Sequence, residues 1–430
     1  MFKKIFSLFF IITLINLFGK GLGFIREMFI AKHYGASSET DVFNIAVSIP
    51  ESIYVAFGLA ISSGFIPIFL KWKAEKSEDE ARELYQSVST YLFLISSLIV
   101  AVLYLTAPYI VQLYAPGFND EQHQKMTWML YMLIPSLYFY IFSGLSVGIL
   151  NAEKRFILPS LTSVVHNVSM IFAIVFLTKE FGLYGLAFGF SFGVFLQFLL
   201  QVPPVFKKGV HLTKNFRKHS KEVKEIFIQL LPIIITSLIV QLNLFIDRFV
   251  ASFLDAGSVS AMNYANKIIY LPISIFVFTL ATIFYTNLVE TAQNSTTDFK
   301  KQMSKYFLIL IGLTIPIALF MMIFPEWIVT ILYGRGEFGE DDIALTASVL
   351  FWYAVAFFFI NLKDFAMKAT MAAQKNKMIV WFTLLGVSIN ISLSFLLGFK
   401  MGPQGIALAT AIAMGIQFTV NYLYLKFYLK

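Results

Sequence analysis

Cationic side chains inside long apolar stretches are the first candidates for chemistry in this sequence. Lys20 and Arg26 are six residues apart in the first stretch, about 9 Å along a helix that rises about 1.5 Å per residue. Lys267 lies in a later stretch, between Asn266 and Ile268. Ionisable groups in such surroundings usually face a cavity or a partner. Three cations lining one cavity would bind an anionic group such as a pyrophosphate or a carboxylate.

Mutual neutralisation is the alternative interpretation of these charges. Oppositely charged side chains that pair inside an apolar environment would hold helices together without touching a substrate. The candidate pairs are Arg26 with Asp41 or Glu27, and Asp247 with Arg248 or Lys267.

A second group of polar side chains offers oxygen atoms, the ligands that hard cations prefer. The alternative is that polar side chains in apolar stretches only hydrogen-bond one helix to another, as we expect for His166 and Asn167. Four residues form the predicted site for a monovalent cation: Asp247, Asn390, Ser394 and Thr410.

Residue types that support enzymatic chemistry are scarce. The chain contains no Cys, which excludes disulfides and thiolate metal sites. Its five His residues form no ligand cluster, and the phosphate-binding pattern G-x-x-x-x-G-K-[ST] and the metal-binding pattern H-E-x-x-H do not occur. We therefore predict no catalytic residues, no metal and no bound cofactor.

The composition indicates that lipid is the solvent of this chain. Of its 430 residues, 58% are hydrophobic and 13% charged, whereas ordinary soluble domains have about 45–50% and about 25%. A soluble protein could not bury so much apolar surface. The composition excludes a cytosolic enzyme, a secreted domain and a disordered scaffold, and the +8 net charge does not by itself indicate binding to nucleic acid.

Twelve stretches are long and apolar enough to cross the hydrocarbon core, for which about 20 residues are needed. Pro50, Pro135, Pro232, Pro272 and Pro316 lie within them and predict kinks. The predicted spans are 5–31, 41–70, 86–113, 126–150, 156–178, 183–205, 224–253, 259–290, 303–332, 343–370, 378–399 and 404–426.

Basic residues favour one orientation of these spans. With the N-terminus in the cytoplasm, alternate loops place 22 Lys and Arg residues on the cytoplasmic side and 5 on the outer side. An excess of Lys and Arg is typical of cytoplasmic loops. We predict a multi-pass protein of a bacterial cytoplasmic membrane with both termini in the cytoplasm, and an uncleaved first helix.

The two halves of the chain resemble each other at a nearly constant offset of 218–223 residues. Matching pairs include Gly35 with Gly257, Asn167 with Asn390, and Gly182 with Gly402. Six spans per copy give both copies the same orientation, which is a parallel repeat. The predicted fold class is therefore an all-α integral membrane protein with about twelve transmembrane helices in two six-helix lobes. The lobes are residues 1–206 and 224–430, joined by a basic cytoplasmic linker at 207–223.

Two lobes of this kind can rock and expose a central cavity to each side in turn, as in alternating-access transporters. Since the sequence contains no ATP-binding loop, we expect a monovalent cation or the membrane potential to supply the energy.

Two regions of the sequence contain distinctive motifs. The N-terminal motifs are Gly23-Phe24-x-Arg26-Glu27, Ala31, Gly35-Ala36, Asp41-x-Phe43 and Ile49-Pro50. The later motifs are Ala251-Ser252-Phe253-Leu254, Gly257-Ser258-Val259-Ser260-Ala261 and Tyr264-Ala265-Asn266-Lys267. These motifs resemble the MurJ (MviN) family of lipid II flippases, within the multidrug/oligosaccharidyl-lipid/polysaccharide exporter superfamily.

The resemblance implies translocation of an undecaprenyl-pyrophosphate-linked peptidoglycan precursor from the inner to the outer leaflet. It implies substrate contacts at Arg26 and Asp41, which match the family, at Lys20 and Lys267, where Arg is usual, and at Tyr54, where a fourth Arg is usual. The implied partners are this lipid-linked saccharide, membrane lipids and proteins of envelope synthesis. No nucleic acid is expected.

Three other functions remain open at this point. One is a membrane scaffold for envelope synthesis, which predicts that neutralising Lys20, Arg26 and Lys267 together leaves function intact. Many members of the family have fourteen helices, two more than we predict here, which leaves another lipid-linked polysaccharide as a substrate. A cation-coupled multidrug exporter of the same superfamily is the third alternative, although its cationic substrates would favour a cavity lined by carboxylates.

Overall fold

The computed structural model describes residues 2–207, 211–213 and 216–428, and nearly all of them are helical. Within these ranges no β-strand occurs. The helices are α1 Phe2–Tyr34, α2 Ser38–Glu75, α3 Glu78–Tyr114, α4 Asp120–Leu133, α5 Ser136–Ala152, α6 Ile157–Phe172, α7 Thr178–Phe181, α8 Leu183–Phe206, α9 Ser220–Ala251, α10 Ser258–Pro272, α11 Phe278–Asn294, α12 Thr296–Ile323, α13 Pro325–Tyr333, α14 Glu340–Ala372, α15 Asn376–Met401 and α16 Pro403–Leu423. A 3₁₀ turn covers Phe216–His219, and π-helical turns cover Ala173–Leu177, Ile273–Val277 and Tyr424–Tyr428.

Helix covers most of every predicted span, and the all-α membrane fold is confirmed. Eight helical segments of the described chain are long and apolar enough to cross a membrane, and the bent pair α4–α5 adds a ninth. The bend of 43° lies at Pro135, where the sequence predicted a kink. The predicted stretch 303–332 is two helices, since Pro325 begins α13 after a break at Phe324. The number twelve stays a prediction.

Short polar motifs fix several helix starts. In α3, the Ser77 hydroxyl accepts a hydrogen bond from the Glu80 amide at 3.2 Å. Before α4, Asn119 and Gln122 exchange side-chain to backbone hydrogen bonds of 2.8 and 2.9 Å in a capping box. These contacts satisfy amides that the first helical turn leaves without a partner.

Equivalent glycines of the two sequence copies adopt similar backbone geometry. Gly182 (φ 52°) separates α7 from α8, and Gly402 (φ 76°) separates α15 from α16. Three residues later, Gly185 and Gly405 donate to the carbonyls of these glycines at 3.0 and 2.9 Å. A positive φ is a conformation that glycine adopts without steric cost. The internal repeat is therefore visible in backbone structure as well as in sequence.

The chain packs as two compact units. The first contains Met1–Ile30 and Val42–Gln241, and the second contains Ala31–Asp41 and Leu242–Lys430. By packing, residues 224–241 thus belong to the first unit and residues 31–41 to the second. The predicted division at 207–223 stays a prediction, and its residues 208–210 and 214–215 lie outside the described part of the chain.

Each unit has its own apolar core. In the first, Leu84, Val88 and Leu92 of α3 pack with Leu145 of α5 and Leu230 of α9. In the second, residues of α11, α12 and α14 pack around an aromatic cluster. Its members are Phe284, Tyr306, Phe307 and Phe365, with the Phe284 and Tyr306 rings stacked at 4.0 Å.

Candidate functional site

Arg26 of α1 is the centre of a buried polar cluster in the first unit. Its Nη1 donates to Oδ1 of Asn167 on α6 at 3.1 Å, and its Nη2 lies 2.5 Å from Oε1 of Glu27. The side chains of Arg26 and Glu27 are 17% and 5% exposed. Of the alternatives left open by the sequence, Arg26 therefore pairs with Glu27. The pair neutralises a charge that would be costly in an apolar environment.

Small residues on α1 let α6 approach closely enough to make this contact. The Asn167 Nδ2 donates to the Gly19 carbonyl at 3.0 Å. A Cβ added to Gly23 would lie 3.3 Å from the same Nδ2 atom, and one added to Gly19 would collide with the Ser163 hydroxyl. Larger side chains at these glycines would push the Asn167 amide away from Arg26.

Aromatic side chains continue this cluster across the first unit. The predicted site residue Tyr54 stacks on Tyr140 with ring centroids 4.3 Å apart. The ring centroids of Tyr140 and Phe190 are 6.1 Å apart, and those of Phe190 and His166 are 5.1 Å apart. His166 directly precedes Asn167, the hydrogen-bond partner of Arg26, on α6. Ring contacts thus link Tyr54 to the helix that holds Arg26.

Two nitrogen atoms in the cluster are buried and lack a hydrogen-bond partner among the described residues. They are Nε of Arg26 and Nδ1 of His166. Buried polar atoms are rarely left without a partner, and exceptions often mark functional sites. The sequence predicted neither His166 nor Tyr140 as a site residue. Their positions in apolar stretches do not show which distant side chains they contact.

The two lysines of the predicted site differ in exposure. Lys20 is exposed on α1, one and a half turns before Arg26, and Lys267 is half-buried on α10 of the second unit. Lys20, Arg26 and Tyr54 therefore belong to the first unit, whereas Asp41 and Lys267 belong to the second.

Asp41 holds the start of α10. Its Oδ2 accepts from the Gly257 amide at 2.7 Å, and its Oδ1 accepts from the Ser260 amide at 2.7 Å and the Ser260 hydroxyl at 2.6 Å. Asp41 is 3% exposed. A carboxylate at a helix N-terminus satisfies free amides and interacts favourably with the helix dipole. The structure therefore gives Asp41 a capping role, and its contact with substrate stays a prediction.

Further hydrogen bonds tie the segment 31–41 to the first turn of α14 and to the connection before it. The Ala36 amide donates to Asp342 Oδ2 at 3.1 Å, and the Glu337 amide donates to the Lys32 carbonyl at 2.9 Å. Tyr264 of α10 donates its hydroxyl to the Gly35 carbonyl at 3.1 Å. The connections at 35–37, 252–257 and 334–339 thus meet at one end of the second unit, as expected of loops predicted on the same face of the membrane.

The four residues predicted to bind a cation come together in the second unit. Ser394 donates to Asp247 Oδ1 at 2.9 Å and lies 3.4 Å from Asn390 Oδ1. Asn390 in turn donates to the Thr410 hydroxyl at 3.1 Å. Asp247 is 7% exposed, and Asn390 and Ser394 are fully buried. One carboxylate, one amide and two hydroxyls from α9, α15 and α16 therefore form a continuous polar cluster.

This oxygen set suits a hard monovalent cation better than a transition metal. It contains no imidazole or thiolate, the ligands that softer metals prefer. Within the described residues, no group of three or more His, Asp or Glu side chains is arranged to hold a metal.

The family model for "Lipid II flippase MurJ" matches residues 30–429, which is most of the chain. The chain belongs to the MurJ family. The predicted family and the predicted transporter class are thereby confirmed. The matched range includes the Asp41 cap, the aromatic residues around Tyr54 and all four residues of the oxygen cluster.

Individual MurJ relatives match over nearly the same length. A probable lipid II flippase MurJ of Thermotoga maritima is 29% identical over 397 residues, covering 92% of this chain and 80% of the relative. A probable lipid II flippase MurJ of Vibrio cholerae is 26% identical over 425 residues, covering 96% of this chain and 81% of the relative.

Solved structures agree with this assignment. A lipid II flippase MurJ in an inward closed conformation superposes with a TM-score of 0.85 at 27% identity, covering 96% of this chain and 86% of that one. An inward-facing multidrug resistance MATE family transporter of the MOP superfamily gives 0.78 at 13% identity, covering 98% of each chain. The second match shows that the fold is shared with that transporter.

Proposed function

We propose that this chain is a flippase for lipid II, moving the polyprenyl-pyrophosphate-linked peptidoglycan precursor from the inner to the outer leaflet by alternating access. The observation that carries the proposal is the family match over residues 30–429. The buried guanidinium of Arg26, held by Glu27 and Asn167, supports it, since a pyrophosphate needs N–H donors and a drug cation does not.

Arg26 is the residue to which we assign the pyrophosphate contact. An Arg side chain carries five N–H donors. Glu27 and Asn167 each engage one terminal nitrogen of Arg26, while Nε has no hydrogen-bond partner among the described residues. Glu27 and Asn167 orient the guanidinium, so a phosphate oxygen meets donors that are already in place. Lys20 and Lys267 would add point charges, and Tyr54 an aromatic hydroxyl.

Complementation tests both the substrate and the residue. The chain is expressed in a bacterium depleted of its own lipid II flippase, alongside Arg26→Ala, Arg26→Lys and the control Arg82→Ala. Arg82 is a half-exposed arginine near the start of α3. We expect rescue by the natural chain and by Arg82→Ala, weak rescue by Arg26→Lys, and none by Arg26→Ala.

The outcomes separate two errors. If the natural chain reaches the membrane but does not rescue, lipid II is the wrong substrate, and flipping of other lipid-linked saccharides is measured next. If Arg26→Ala rescues as well as the natural chain, the role of Arg26 is wrong while the substrate stands.

A monovalent cation is our proposed energy source, bound by Asp247, Asn390, Ser394 and Thr410. The carboxylate supplies the charge and the neutral oxygens complete the coordination. The readout is the melting temperature of the purified chain in NaCl, KCl and choline chloride at equal ionic strength. Because a ligand that binds only the folded state stabilises it, one cation should raise the melting temperature.

Asp247→Asn should abolish this cation-dependent shift, and Asp298→Asn, an exposed carboxylate in the first turn of α12, should keep it. Equal melting temperatures in all three salts would rule out this site and leave the membrane potential as the energy source.

Both termini are proposed to lie in the cytoplasm. Reporter fusions at each terminus that fluoresce only in the cytoplasm test the orientation, with a fusion in the connection at 334–339 as the outer control.

A further inference from the structure

An apolar cavity of about 340 Å³ lies in the first unit between α2, α3, α5 and α9. Its lining side chains are all aliphatic or phenylalanine, and α9 contributes the largest share. None of the residues assigned to pyrophosphate or cation binding lines it. The cavity is therefore separate from the sites described above.

The cavity is open along α9. Leu231, Ile235 and Leu238 line it and are also 51%, 49% and 46% exposed. Since α9 is a membrane-spanning candidate, these exposed faces meet lipid rather than water. Apolar surface of this kind is filled from the hydrocarbon phase, because water would find no polar partner there.

The length of the cavity matches one leaflet. Its lining on α9 runs from Phe227 to Leu238, which are eleven positions apart, or about 16 Å at the usual helical rise. Half of a hydrocarbon core of about 30 Å is nearly the same distance. The volume is at the lower end of the range for ligand pockets, about 300–1,000 Å³, which suits a single hydrocarbon chain.

Basic residues continue the apolar stripe of α9 toward its N-terminal end. Lys224 precedes Phe227 by three residues and Lys221 precedes Lys224 by three, so all three side chains lie on one face of the helix. Both lysines are exposed. Glu222 projects about 100° away from Lys221, and Glu225 projects about 100° away from Lys224 but lies four residues after Lys221 on its face of the helix. Lys224 is therefore the cation that continues the apolar stripe most directly. The stripe is cationic at one end and apolar along the rest, which complements a phosphate above an acyl chain.

We propose that this cavity binds one acyl chain of an anionic membrane phospholipid, with the phosphate group against Lys221 and Lys224. The bound lipid would fill the space between α3 and α9 and would be retained during purification. The proposal does not depend on which molecule the protein transports.

Native mass spectrometry of the detergent-purified full chain tests the proposal, with phosphatidylglycerol and phosphatidylcholine supplied in equal amounts. We expect one retained phosphatidylglycerol per chain, at about tenfold higher occupancy than phosphatidylcholine, a ratio worth about 1.4 kcal/mol. Ile99→Trp would fill the cavity from α3 and lower the retained lipid by about tenfold.

The neighbouring substitution Leu98→Trp is the matched control, since Leu98 is 66% exposed and does not line the cavity. It should retain as much lipid as the natural chain. Lys221→Gln combined with Lys224→Gln should keep the acyl chain but bring the two lipids to equal occupancy. This pair lies outside the packed core, so it remains informative if Ile99→Trp does not fold.

Three results would overturn the proposal. One is a natural chain that retains no lipid, the second is equal retention by Ile99→Trp and Leu98→Trp when both variants are folded, and the third is retention of a polyprenyl phosphate in place of the phospholipid. An unchanged lipid preference in the double lysine variant would overturn the phosphate contact.

Discussion

The two copies of the repeat place opposite charges on related positions. An offset of 221 residues aligns Arg26-Glu27 of α1 with Asp247-Arg248 of α9, and an offset of 223 aligns Asn167 with Asn390. In the first unit Asn167 accepts a hydrogen bond from Arg26, a cation. In the second unit Asn390 belongs to a chain of hydrogen bonds that ends at Asp247, an anion.

Asn occupies the same position in both copies because its side chain can both accept and donate hydrogen bonds, so it fits beside a cation or in a cluster with an anion. Asn has a carbonyl oxygen that accepts from Arg26 and an amino group that donates elsewhere, to Gly19 in one unit and to Thr410 in the other. The two clusters differ in their charged residue, which is Arg26 of α1 in the first unit and Asp247 of α9 in the second. They also differ in Ser394, whose hydroxyl donates to the Asp247 carboxylate. The comparison indicates that duplication gave two similar polar clusters, one suited to an anionic group and one to a cation.

The strongest test of this comparison concerns the Arg26–Glu27 pair. Arg26→Gln removes the cation that pairs with the buried Glu27 carboxylate and should lower the free energy of unfolding by about 3–5 kcal/mol. Replacing both residues by Gln should restore most of that stability but not complementation. Stability is measured by the loss of helical signal in denaturant, and complementation as described above.

If the double variant regains both stability and transport, the pair is only structural, and the contrast between the two clusters loses its functional meaning.

The second test removes one donor from the anionic cluster. Ser394→Ala takes away the hydrogen bond to Asp247 and should cost about 1.5–3 kcal/mol, the usual value for a bond to a charged group. The cation-dependent rise in melting temperature should shrink in parallel. Ser392→Ala, an exposed serine on the same helix, is the control. A full cation effect in Ser394→Ala would exclude this hydroxyl from the site.

The third test compares the two amides directly. Asn167→Ala and Asn390→Ala should each destabilise the chain by about 1–3 kcal/mol, because each leaves buried partners without a hydrogen bond. Asn167→Ala should also impair complementation, since it removes one of the two side chains that orient the guanidinium of Arg26. If only Asn390→Ala lowers the melting temperature, Asn167 does not hold Arg26 in the way that the 3.1 Å contact implies.

The smallest effect on stability is expected at Lys20. Its side chain is exposed, so Lys20→Gln should change the free energy of unfolding by no more than about 0.5 kcal/mol. Transport should nevertheless fall, and Lys20→Arg should restore it. A variant that is unchanged in both assays would remove Lys20 from the proposed pyrophosphate site.

Much of the fold could be predicted from the sequence, because apolar length alone identifies a membrane helix. The oxygen cluster was also predictable in part. Asn390 and Ser394 are four residues apart, which places them on one face of α15. The kink at Pro135 follows from the missing amide of proline.

The cap made by Asp41 was not predictable. Its partners Gly257 and Ser260 are 216 and 219 residues away, and no local pattern encodes such a distance. The same holds for Tyr140, which becomes part of the Arg26 cluster only when α5 packs beside Tyr54. Sequence patterns specify helices and their faces, whereas contacts between distant helices depend on packing.

The π-helical turn Ala173–Leu177 records an insertion. Gly182 follows Asn167 by fifteen positions, whereas Gly402 follows Asn390 by twelve. A π turn is wider than an α turn by one residue, so it accommodates one of the three extra residues without breaking the helix, and α15 continues to Met401 without such a turn. Side chains after Leu177 are consequently rotated around the helix axis relative to their counterparts. Any alignment of the two halves at a single fixed offset would therefore pair side chains that lie on different faces of their helices.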